Sequence, residues 1–313
     1  MPSSMHAHDH AHGHDHGGIE GVSPLGFTGE RVIPGDPKWA WCFQAHLFGY
    51  HDLARRMTSR PERLLEIGCG EGYGASVLSR HAGHVVAGDV AADAVAHARD
   101  KYHAPNISWV VFDAQKLPFA DGAFGVTCSL QVIEHFPDAE AHLDEVVRVT
   151  EPGGLHYVTT PNIDNMGEAE KDNPFHLRDF NAADLDAVLS ARFDDVAVEG
   201  MFYVEDSPRY RRMVAAEAKE ERLRPKLRKV EDRLAKLPGA LRVRLRPLAR
   251  KAAGVSHWPL PEAERARNEI IAADFRAGPD AEQSFCLIGV GRTPPRKGAP
   301  AKKGPDSGPG RSR

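Results

Sequence analysis

Short apolar runs alternate with amphipathic segments through the middle of the chain. The apolar runs, which favour β-strands, are 63–68, 84–90, 107–113, 125–130 and 154–160. The stretches with helical spacing lie between them, near 72–81, 92–101 and 138–149. This β-α-β order predicts an α/β, Rossmann-like doubly wound fold, in which helices cover both faces of a mostly parallel sheet.

The later part of the chain adds two apolar runs with a long insertion between them. The runs at 194–202 and 283–291 bring the predicted sheet to seven strands. Residues 205–280 have a mostly helical pattern interrupted by prolines, and from Arg209 to Lys251 there are sixteen Lys or Arg against five Asp or Glu. We expect a basic helical cap that could attract phosphate, an acidic substrate or a membrane face. A solvated amphipathic helix pair would produce the same pattern.

Both ends of the chain have biased composition. Residues 1–18 carry a histidine at every second position from His6 to His16, so an extended chain would put the imidazoles on one side, where they could bind Zn²⁺ or Ni²⁺. A solvated tail with incidental metal affinity explains the pattern equally. Residues 293–313 are rich in Pro, Gly, Lys and Arg and are predicted to be disordered. The predicted main domain therefore comprises 19–204 and 281–292, with the cap at 205–280.

Composition excludes several classes of protein. The 313 residues carry a formal net charge of −4, which is too close to neutral to indicate a class of binding partner. The four cysteines are Cys42, Cys69, Cys128 and Cys286, too far apart for a CxxC pair, which argues against a disulfide framework or a zinc ribbon and fits a reducing cytosol. No apolar run approaches the length that spans a bilayer. We therefore expect a cytoplasmic protein without a transmembrane segment.

The stretch LLEIGCGEGYG, residues 64–74, places an acid and a tight glycine turn at the end of the first strand. Such a turn lets a ligand approach the backbone and the helix N-terminus closely. The spacing is E-x-G-x-G-x-G, from Glu66 to Gly72, rather than the G-x-G-x-x-G of dinucleotide folds. Asp89 ends the second strand, where an acid can reach ribose hydroxyls, and Asp113 ends the third.

Several ordered motifs resemble those of class I S-adenosylmethionine-dependent methyltransferases over about 27–203 and 282–291. The glycine stretch resembles the family's glycine motif, VVAGDV its ribose-binding strand end, FDAQKLPFADGAF its adenine loop, and EVVRVTEPGGLHYVTTPN its helix, Pro-Gly-Gly turn and fifth strand. One position departs from the family, which usually has Phe-Asp before the fourth strand, whereas this chain has Phe124-Gly125. That departure puts the local packing in question more than cofactor binding.

The resemblance implies S-adenosylmethionine as cofactor and assigns residues to it. Glu66 would help to orient the methionine ammonium group, directly or through water, and the glycines would clear space for methionine and ribose. The full set of implied cofactor-binding residues is Glu66, Gly68, Cys69, Gly70, Gly72, Asp89, Val90, Asp113, Ala114, Leu130, Gln131 and Arg31.

Methyl transfer needs proximity and alignment, and a hydroxyl acceptor must also lose its proton. Catalytic groups should lie at the carboxyl ends of the fourth and fifth strands, in SLQVIEHFPD and TPNIDNMGEAEKDNPFHLRDF. Glu134 and His135 in the first segment, and His176 in the second, are the candidates. Each histidine could instead serve an ordinary structural role.

The same segments resemble small-RNA 3′-end 2′-O-methyltransferases, which use E-x-x-E-H and a later histidine to bind a divalent cation. Here Gln131 replaces the first acid, so the implied ligands are Gln131, Glu134, His135 and His176. A glutamine carbonyl can still bind a hard cation such as Mg²⁺ or Mn²⁺, with less charge. Metal binding and simple histidine base catalysis both remain open.

TGERVIPG and FQAHLFGYHDLA, together with the segment after the fifth strand, resemble a bacterial subgroup associated with methylation of glycans and natural products. In that subgroup the N-terminal segment packs over the cofactor, which makes Arg31, His46 and Tyr50 contacts there. The resemblance implies O-methylation of a sugar hydroxyl on a glycan or glycosylated metabolite, with mycofactocin-type oligosaccharide methylation as one specific version.

Other functions fit parts of the sequence. Quinone or polyketide O-methylation uses the same fold, and the basic cap leaves room for RNA ribose methylation, although no RNA-binding module or aromatic-interleaved basic groove is present. A metal-handling protein that uses the histidine tail, or a non-catalytic cofactor-binding partner, are the alternatives outside the enzymes. The intact glycine motif with Asp89 and Asp113 argues against the metal-handling alternative.

Overall fold

The computed structural model describes residues 31–35, 40–166, 173–252, 265–266 and 268–295. The histidine-rich tail predicted at 1–18 lies outside these residues. The strands are β1 Arg63–Ile67, β2 His84–Asp89, β3 Ile107–Val111, β4 Phe124–Leu130, β5 Thr150–Pro161, β6 Asp194–Tyr203, β7 Phe275–Gly278 and β8 Cys286–Arg292. The helices are α1 Ala40–Arg56, α2 Tyr73–Leu78, α3 Ala92–Lys101, α4 Ala139–Val149, α5 Ala182–Ser190, α6 Pro208–Ala235 and α7 Gly239–Ala252.

All the strands belong to one sheet, in the order β3-β2-β1-β4-β5-β8-β6-β7. The five strands from β3 to β5 pair in parallel, whereas β8 runs antiparallel to both β5 and β6, and β7 runs antiparallel to β6. The predicted Rossmann-like, mostly parallel α/β sheet is therefore confirmed. The predicted count of seven strands is wrong by one, because the short edge strand β7 was not predicted and lies inside the segment read as a helical cap.

Helices cover both faces of the sheet. Successive residues of a strand point to opposite sides, so the apolar residues of one strand pack against helices on both faces. Leu64 of β1 packs into one core cluster with residues of α1, α2 and α3, whereas Leu65 packs into the other with residues of α4 and α5. Glu66 follows in this alternation, so its carboxyl group enters the core on the α1 and α2 side, where the side chain is only 1% exposed. The strand alternation thus delivers a carboxyl group to the buried face beside the glycine turn.

The departure from the family pattern at Gly125 has a local explanation. Gly125 lies in β4, where the pairing with β5 shifts register between Phe124 and Val126. A Cβ atom at Gly125 would come 3.1 Å from Oε1 of Glu151, an acid that precedes the Pro-Gly-Gly turn in β5. Glu151 of the neighbouring strand β5 therefore places an acid beside position 125, and the carboxyl group of an aspartate there would lie close to that of Glu151.

The inserted helices α6 and α7 leave the sheet after β6 and pack against each other. Ser207 caps α6 by accepting a hydrogen bond from the Tyr210 amide, and Asp274, just before β7, accepts hydrogen bonds from the Ser207 hydroxyl and the Arg209 guanidinium. The base of the insertion is thus tied to the edge of the sheet. None of the helices in the described ranges is long and apolar enough to cross a membrane.

Candidate active site

The glycine turn after β1 opens into a cavity of about 520 Å³ at the carboxyl ends of the parallel strands. Gly70, with a φ of 47°, faces this open space: a Cβ atom there would have no other heavy atom within 4 Å. Gly72 serves a different purpose, because its Cβ position lies 2.6 Å from the Ala98 side chain of α3. Gly72 therefore allows the turn to pack against α3 and does not line the cavity.

Ten of the twelve predicted cofactor-binding residues line this first cavity. They are Arg31, Gly68, Cys69, Gly70, Asp89, Val90, Asp113, Ala114, Leu130 and Gln131. The two that do not line it are Gly72 and Glu66. His46 and Tyr50 of α1, which the sequence also placed near the cofactor, are part of the wall.

The Asp89 carboxylate fixes the shape of the first cavity. Its Oδ2 accepts a hydrogen bond from the Gly70 amide at 3.0 Å, and its Oδ1 accepts one from the Ala91 amide at 3.0 Å. One side chain thus ties the glycine turn to the end of β2. Val90 beside it is 73% exposed, which leaves an apolar surface at the cavity wall.

Glu66 lies buried behind the cavity wall formed by Tyr50. No donor in the described part of the chain meets either of its carboxyl oxygens in hydrogen-bonding geometry. Burial raises the pKa of Glu66 to about 8, and the charge of Asp89 adds to the rise, whereas the nearby Tyr50 hydroxyl and Ala75 amide oppose it. Glu66 is therefore a buried carboxyl group whose charged form a nearby cation would stabilise.

Glu71, which the sequence analysis did not single out, is a second buried acid of the glycine turn. It accepts hydrogen bonds from His97 at 2.9 Å and from the Tyr102 hydroxyl at 2.8 Å, and it pairs with Lys101. Its partners lie on α3 or just after it, so the side chain joins the turn to that helix. Its position inside the glycine motif was the only signal available, because the partners lie about thirty residues away along the chain.

A second cavity, of about 510 Å³, adjoins the first and has a largely apolar wall. Its wall includes Trp41 and Ala45 of α1, Met201 and Tyr203 of β6, Met166 after β5, and Phe285 before β8. The two cavities share Arg31, Val32, His46, Leu130, Gln131, His135, Pro174 and Phe175. Sequence reasoning missed the second cavity, because its wall comes from segments far apart along the chain.

Glu134, His135 and His176 come together between the cavities. Their ligand atoms all lie within 4.8 Å of one another. His135 lines both cavities, whereas Glu134 and His176 line only the second. The structure thus brings together the three residues that the sequence proposed as catalytic.

Hydrogen bonds fix the orientation of two of these side chains. The His135 Nδ1 donates to the Phe175 carbonyl at 3.0 Å, which leaves Nε2 as the basic nitrogen of the neutral ring. Glu134 accepts a hydrogen bond from the Thr160 hydroxyl at 3.1 Å. Its backbone carbonyl also accepts from the amides of Leu177 and Arg178, so the loop after β5 is held against the 3-10 turn that carries His135.

The electrostatics of the cluster follow from its burial. Burial raises the pKa of Glu134 to about 7, an effect that the positive form of His135 opposes. Burial also lowers the pKa of His176, and the neighbouring His135, whose ring centroid lies 5.5 Å away, lowers it further. The environment of His176 therefore favours its neutral form.

Gln131, the fourth ligand implied by the sequence, occupies a different position. It has a φ of 57°, which is uncommon for a residue other than glycine. Its amide Nε2 donates to the Thr159 hydroxyl at 3.1 Å and to the Cys286 thiol sulfur at 3.3 Å. The side-chain amide is thus fastened to β5 and β8, and its backbone strain marks the junction between the two cavities.

Comparisons with known proteins agree with this geometry. A family model described as "Methyltransferase domain" matches residues 65–158. A Mycobacterium tuberculosis protein named "Probable S-adenosylmethionine-dependent methyltransferase" is 40% identical over 194 residues, covering 61% of this chain and 68% of that protein. A Mycobacterium leprae phthiotriol/phenolphthiotriol dimycocerosates methyltransferase is 33% identical over 132 residues, covering 41% of this chain and 49% of that protein.

The fold itself recurs among solved structures. The complex between the Haloferax volcanii Trm112 methyltransferase activator and a methyltransferase matches with a TM-score of 0.52 and 17% identity, covering 82% of this chain and 95% of that one. The chain belongs to the S-adenosylmethionine-dependent methyltransferases. It is a class I enzyme of that family, as its glycine motif and the ends of β2 and β3 predicted, and S-adenosylmethionine is its methyl donor.

Proposed function

We propose that the protein is an O-methyltransferase whose acceptor carries its hydroxyl group on a molecule with an apolar body. The observation that carries this proposal is the mainly apolar second cavity, which meets the first cavity at His135. A hydroxyl group held there would lie next to a base, and the rest of the acceptor would lie against Trp41, Tyr203 and Phe285.

The first cavity fits the cofactor on observations of its own wall. Asp89 is suited to the ribose hydroxyls, and the exposed Val90, with Asp113 and Ala114, is suited to adenine. Gly70 leaves open space where a ligand can approach the backbone. Glu66 is buried beside this cavity, and a methionine ammonium group held near it, directly or through water, would stabilise its charged form.

His135 is the proposed general base. Bound S-adenosylmethionine supplies an electrophilic methyl group on a sulfonium. Nε2 of His135 would take the hydroxyl proton as the acceptor oxygen displaces S-adenosylhomocysteine from the methyl carbon, and Nδ1 would keep its hydrogen bond to the Phe175 carbonyl. Glu134 lies close enough to stabilise the resulting imidazolium, and His176 completes the wall on the acceptor side.

A sugar hydroxyl on a glycosylated metabolite is the acceptor we favour. The C–H faces of a sugar ring pack well on aromatic side chains, and a hydrophobic aglycone would fill the remaining apolar wall. The relatives named as phthiotriol/phenolphthiotriol dimycocerosates methyltransferases support a lipid-like body. A quinone or polyketide hydroxyl would fit the same wall, whereas an RNA ribose would leave much of the apolar surface without a partner.

Replacement of His135 tests the proposal. We expect His135→Asn to lower kcat roughly 100-fold or more, which is typical of the loss of a general base. The acceptor panel should contain a glycosylated long-chain alcohol, the free sugar and a quinone, each assayed by transfer of labelled methyl. The affinity for S-adenosylhomocysteine should stay unchanged. His81→Asn, at an exposed histidine outside both cavities, is the matched control. An unchanged kcat in His135→Asn would contradict the base assignment.

The alternative hypothesis, in which the same residues bind a divalent cation, has a separate test. Glu134, His135 and His176 cluster as a cation site would require, but Gln131, which stands where the resembling motif has an acid, would add no negative charge to it. We therefore propose base catalysis without a cation and expect the full-length enzyme to keep its activity in excess EDTA. Loss of activity in EDTA that Mg²⁺ or Mn²⁺ restores would instead establish the cation site.

A further inference from the structure

One face of α7 presents aliphatic and basic side chains in alternation. Leu241, Arg244, Leu248 and Lys251 follow each other at helical spacing, so that they share one side of the helix. All four are exposed, with Leu241 at 43% and Leu248 at 64%. We call these four residues the Leu241 face.

The opposite side of α7 is occupied by α6. Arg246 and Arg250 of α7 both pair with Glu231 of α6, at 3.1 Å and 2.6 Å respectively. Leu245 and Ala249 are half-buried on the same side. The helix pair therefore places its own contacts on one side of α7, and among the residues that the structure describes no element covers the leucines of the Leu241 face.

The charge of α7 is entirely of one sign. Its sequence, GALRVRLRPLARKA, contains five basic residues and no acidic one. Arg244 and Lys251 make no ion pair within the described ranges of the chain, in contrast to Arg246 and Arg250. The exposed leucines are thus flanked by cationic groups that are available to an anionic partner.

The mixture of side chains indicates the kind of partner. Nucleic-acid surfaces combine basic groups with aromatic side chains that stack on bases, and α7 contains no aromatic residue. Aliphatic side chains beside Lys and Arg are typical of helices that lie in a membrane interface, where the chains enter the acyl boundary and the cations meet anionic headgroups. We propose that the Leu241 face docks the protein on an anionic membrane surface.

The position of the insertion connects this surface with the site. Tyr210 in the first turn of α6 stacks on Tyr203, with ring centroids 4.7 Å apart, and Tyr203 is part of the wall of the second cavity. The helix pair that carries the Leu241 face is therefore rooted beside that wall. Docking at this face would bring the cavity near a membrane-resident acceptor. That delivery rests on the proposed function, whereas membrane docking itself does not rest on it.

Vesicle co-sedimentation of the full-length protein tests the docking. We expect binding to vesicles of phosphatidylcholine with phosphatidylglycerol, little binding to phosphatidylcholine alone, and weaker binding at high salt. Arg244→Glu with Lys251→Glu should weaken partitioning on the order of tenfold or more, because each basic residue near an anionic surface contributes to attraction. Leu241→Gln with Leu248→Gln should weaken it about tenfold, while Gln preserves helix propensity.

Two control variants carry single substitutions of the same kinds elsewhere. Arg80→Glu changes the charge of an exposed arginine after α2, and Val214→Gln removes an exposed aliphatic side chain of α6. Both should bind vesicles as the unchanged protein does, and all variants should retain affinity for S-adenosylhomocysteine. Absence of binding to anionic vesicles, or binding that neither double variant weakens, would overturn the proposal. Binding of single-stranded RNA, but not vesicles, that Arg244→Glu weakens would overturn it in favour of a nucleic-acid surface.

Discussion

The two adjoining cavities have nearly the same volume, about 520 and 510 Å³, but are built in different ways. The first combines the glycine turn, Asp89 and Asp113 at the ends of neighbouring parallel strands with large side chains such as Tyr50 and Phe112. The second is shaped by large apolar side chains from α1, β6 and the segments around β5 and β8. We therefore expect the glycine turn and its acids to tolerate less change than the apolar side chains of the acceptor side.

The strongest test of this contrast is at Asp89. We expect Asp89→Ala to weaken S-adenosylhomocysteine binding on the order of 100-fold, because charge-assisted hydrogen bonds contribute roughly 1.5–3 kcal/mol each and the variant loses those to Gly70 and Ala91 as well as the ligand contact. Calorimetric titration measures the affinity, with the exposed Asp100→Asn of α3 as control. At saturating cofactor, the acceptor KM should stay unchanged. A loss no larger than that of the control would remove Asp89 from the cofactor site.

Trp41 provides the matching test on the acceptor side. Its ring packs edge-on against Phe285, with centroids 6.5 Å apart, and both residues line only the second cavity. We expect Trp41→Ala to raise the acceptor KM roughly tenfold, given about 1.5–3 kcal/mol for full burial of a large apolar side chain. Steady-state kinetics at saturating S-adenosylmethionine would measure it. Equal losses of acceptor and cofactor affinity would show that the cavities are not independent.

Glu66 extends the comparison to pH. Burial raises the pKa of Glu66 from 4.5 to about 8, so the folded protein favours the neutral carboxyl group. The contribution of this group to the free energy of unfolding is fully present below about pH 4.5 and is lost as the pH rises through about 8. Glu66→Gln removes this titration. The free energy of unfolding of Glu66→Gln without cofactor should therefore rise relative to the unchanged protein between pH 4.5 and about 8, then level off. Urea unfolding across that range measures it, with the exposed Glu62→Gln as control. A constant difference would contradict the raised pKa.

Arg31, which lines both cavities, should show the smallest effect. Its side chain lies 3.7 Å from Asp93, an exposed partner, and such pairs contribute about 0–1 kcal/mol. We expect Arg31→Ala to weaken cofactor binding and raise the acceptor KM by only a few fold each. Asp93→Asn separates the ion pair from the cavity contact, because it should change neither constant. A large change confined to one cavity would assign Arg31 to that cavity alone.

The difference between the cavities also explains what the sequence could predict. The cofactor side is encoded in short motifs, because Gly68, Gly70 and Asp89 follow strands whose ends meet at one edge of the sheet. The second cavity forms only when the tertiary fold brings together Trp41, Met201 and Phe285, and no local sequence pattern predicts such contacts. His135 and His176 were found because both follow strands whose carboxyl ends lie side by side.

Two details escaped sequence reasoning for identifiable reasons. The edge strand β7 has only four residues, FRAG, which is too short to show a clear periodicity. Gly72 belongs to the motif, but its role is to let the turn approach α3, because a Cβ atom would collide with Ala98. A glycine pattern alone does not distinguish contact with a ligand from contact with another helix.

The strand order β5-β8-β6 has a consequence for folding of the chain during its synthesis on the ribosome. Strand β8 lies between two strands made much earlier, and its pairing continues to Thr293, whose amide donates to the Gly154 carbonyl at 3.0 Å. Until residues 286–293 have been synthesised, the edges of β5 and β6 that will receive β8 remain unpaired. The emerging chain therefore presents two open strand edges throughout synthesis of the helical insertion, which exposes it to edge-to-edge aggregation until β8 is inserted.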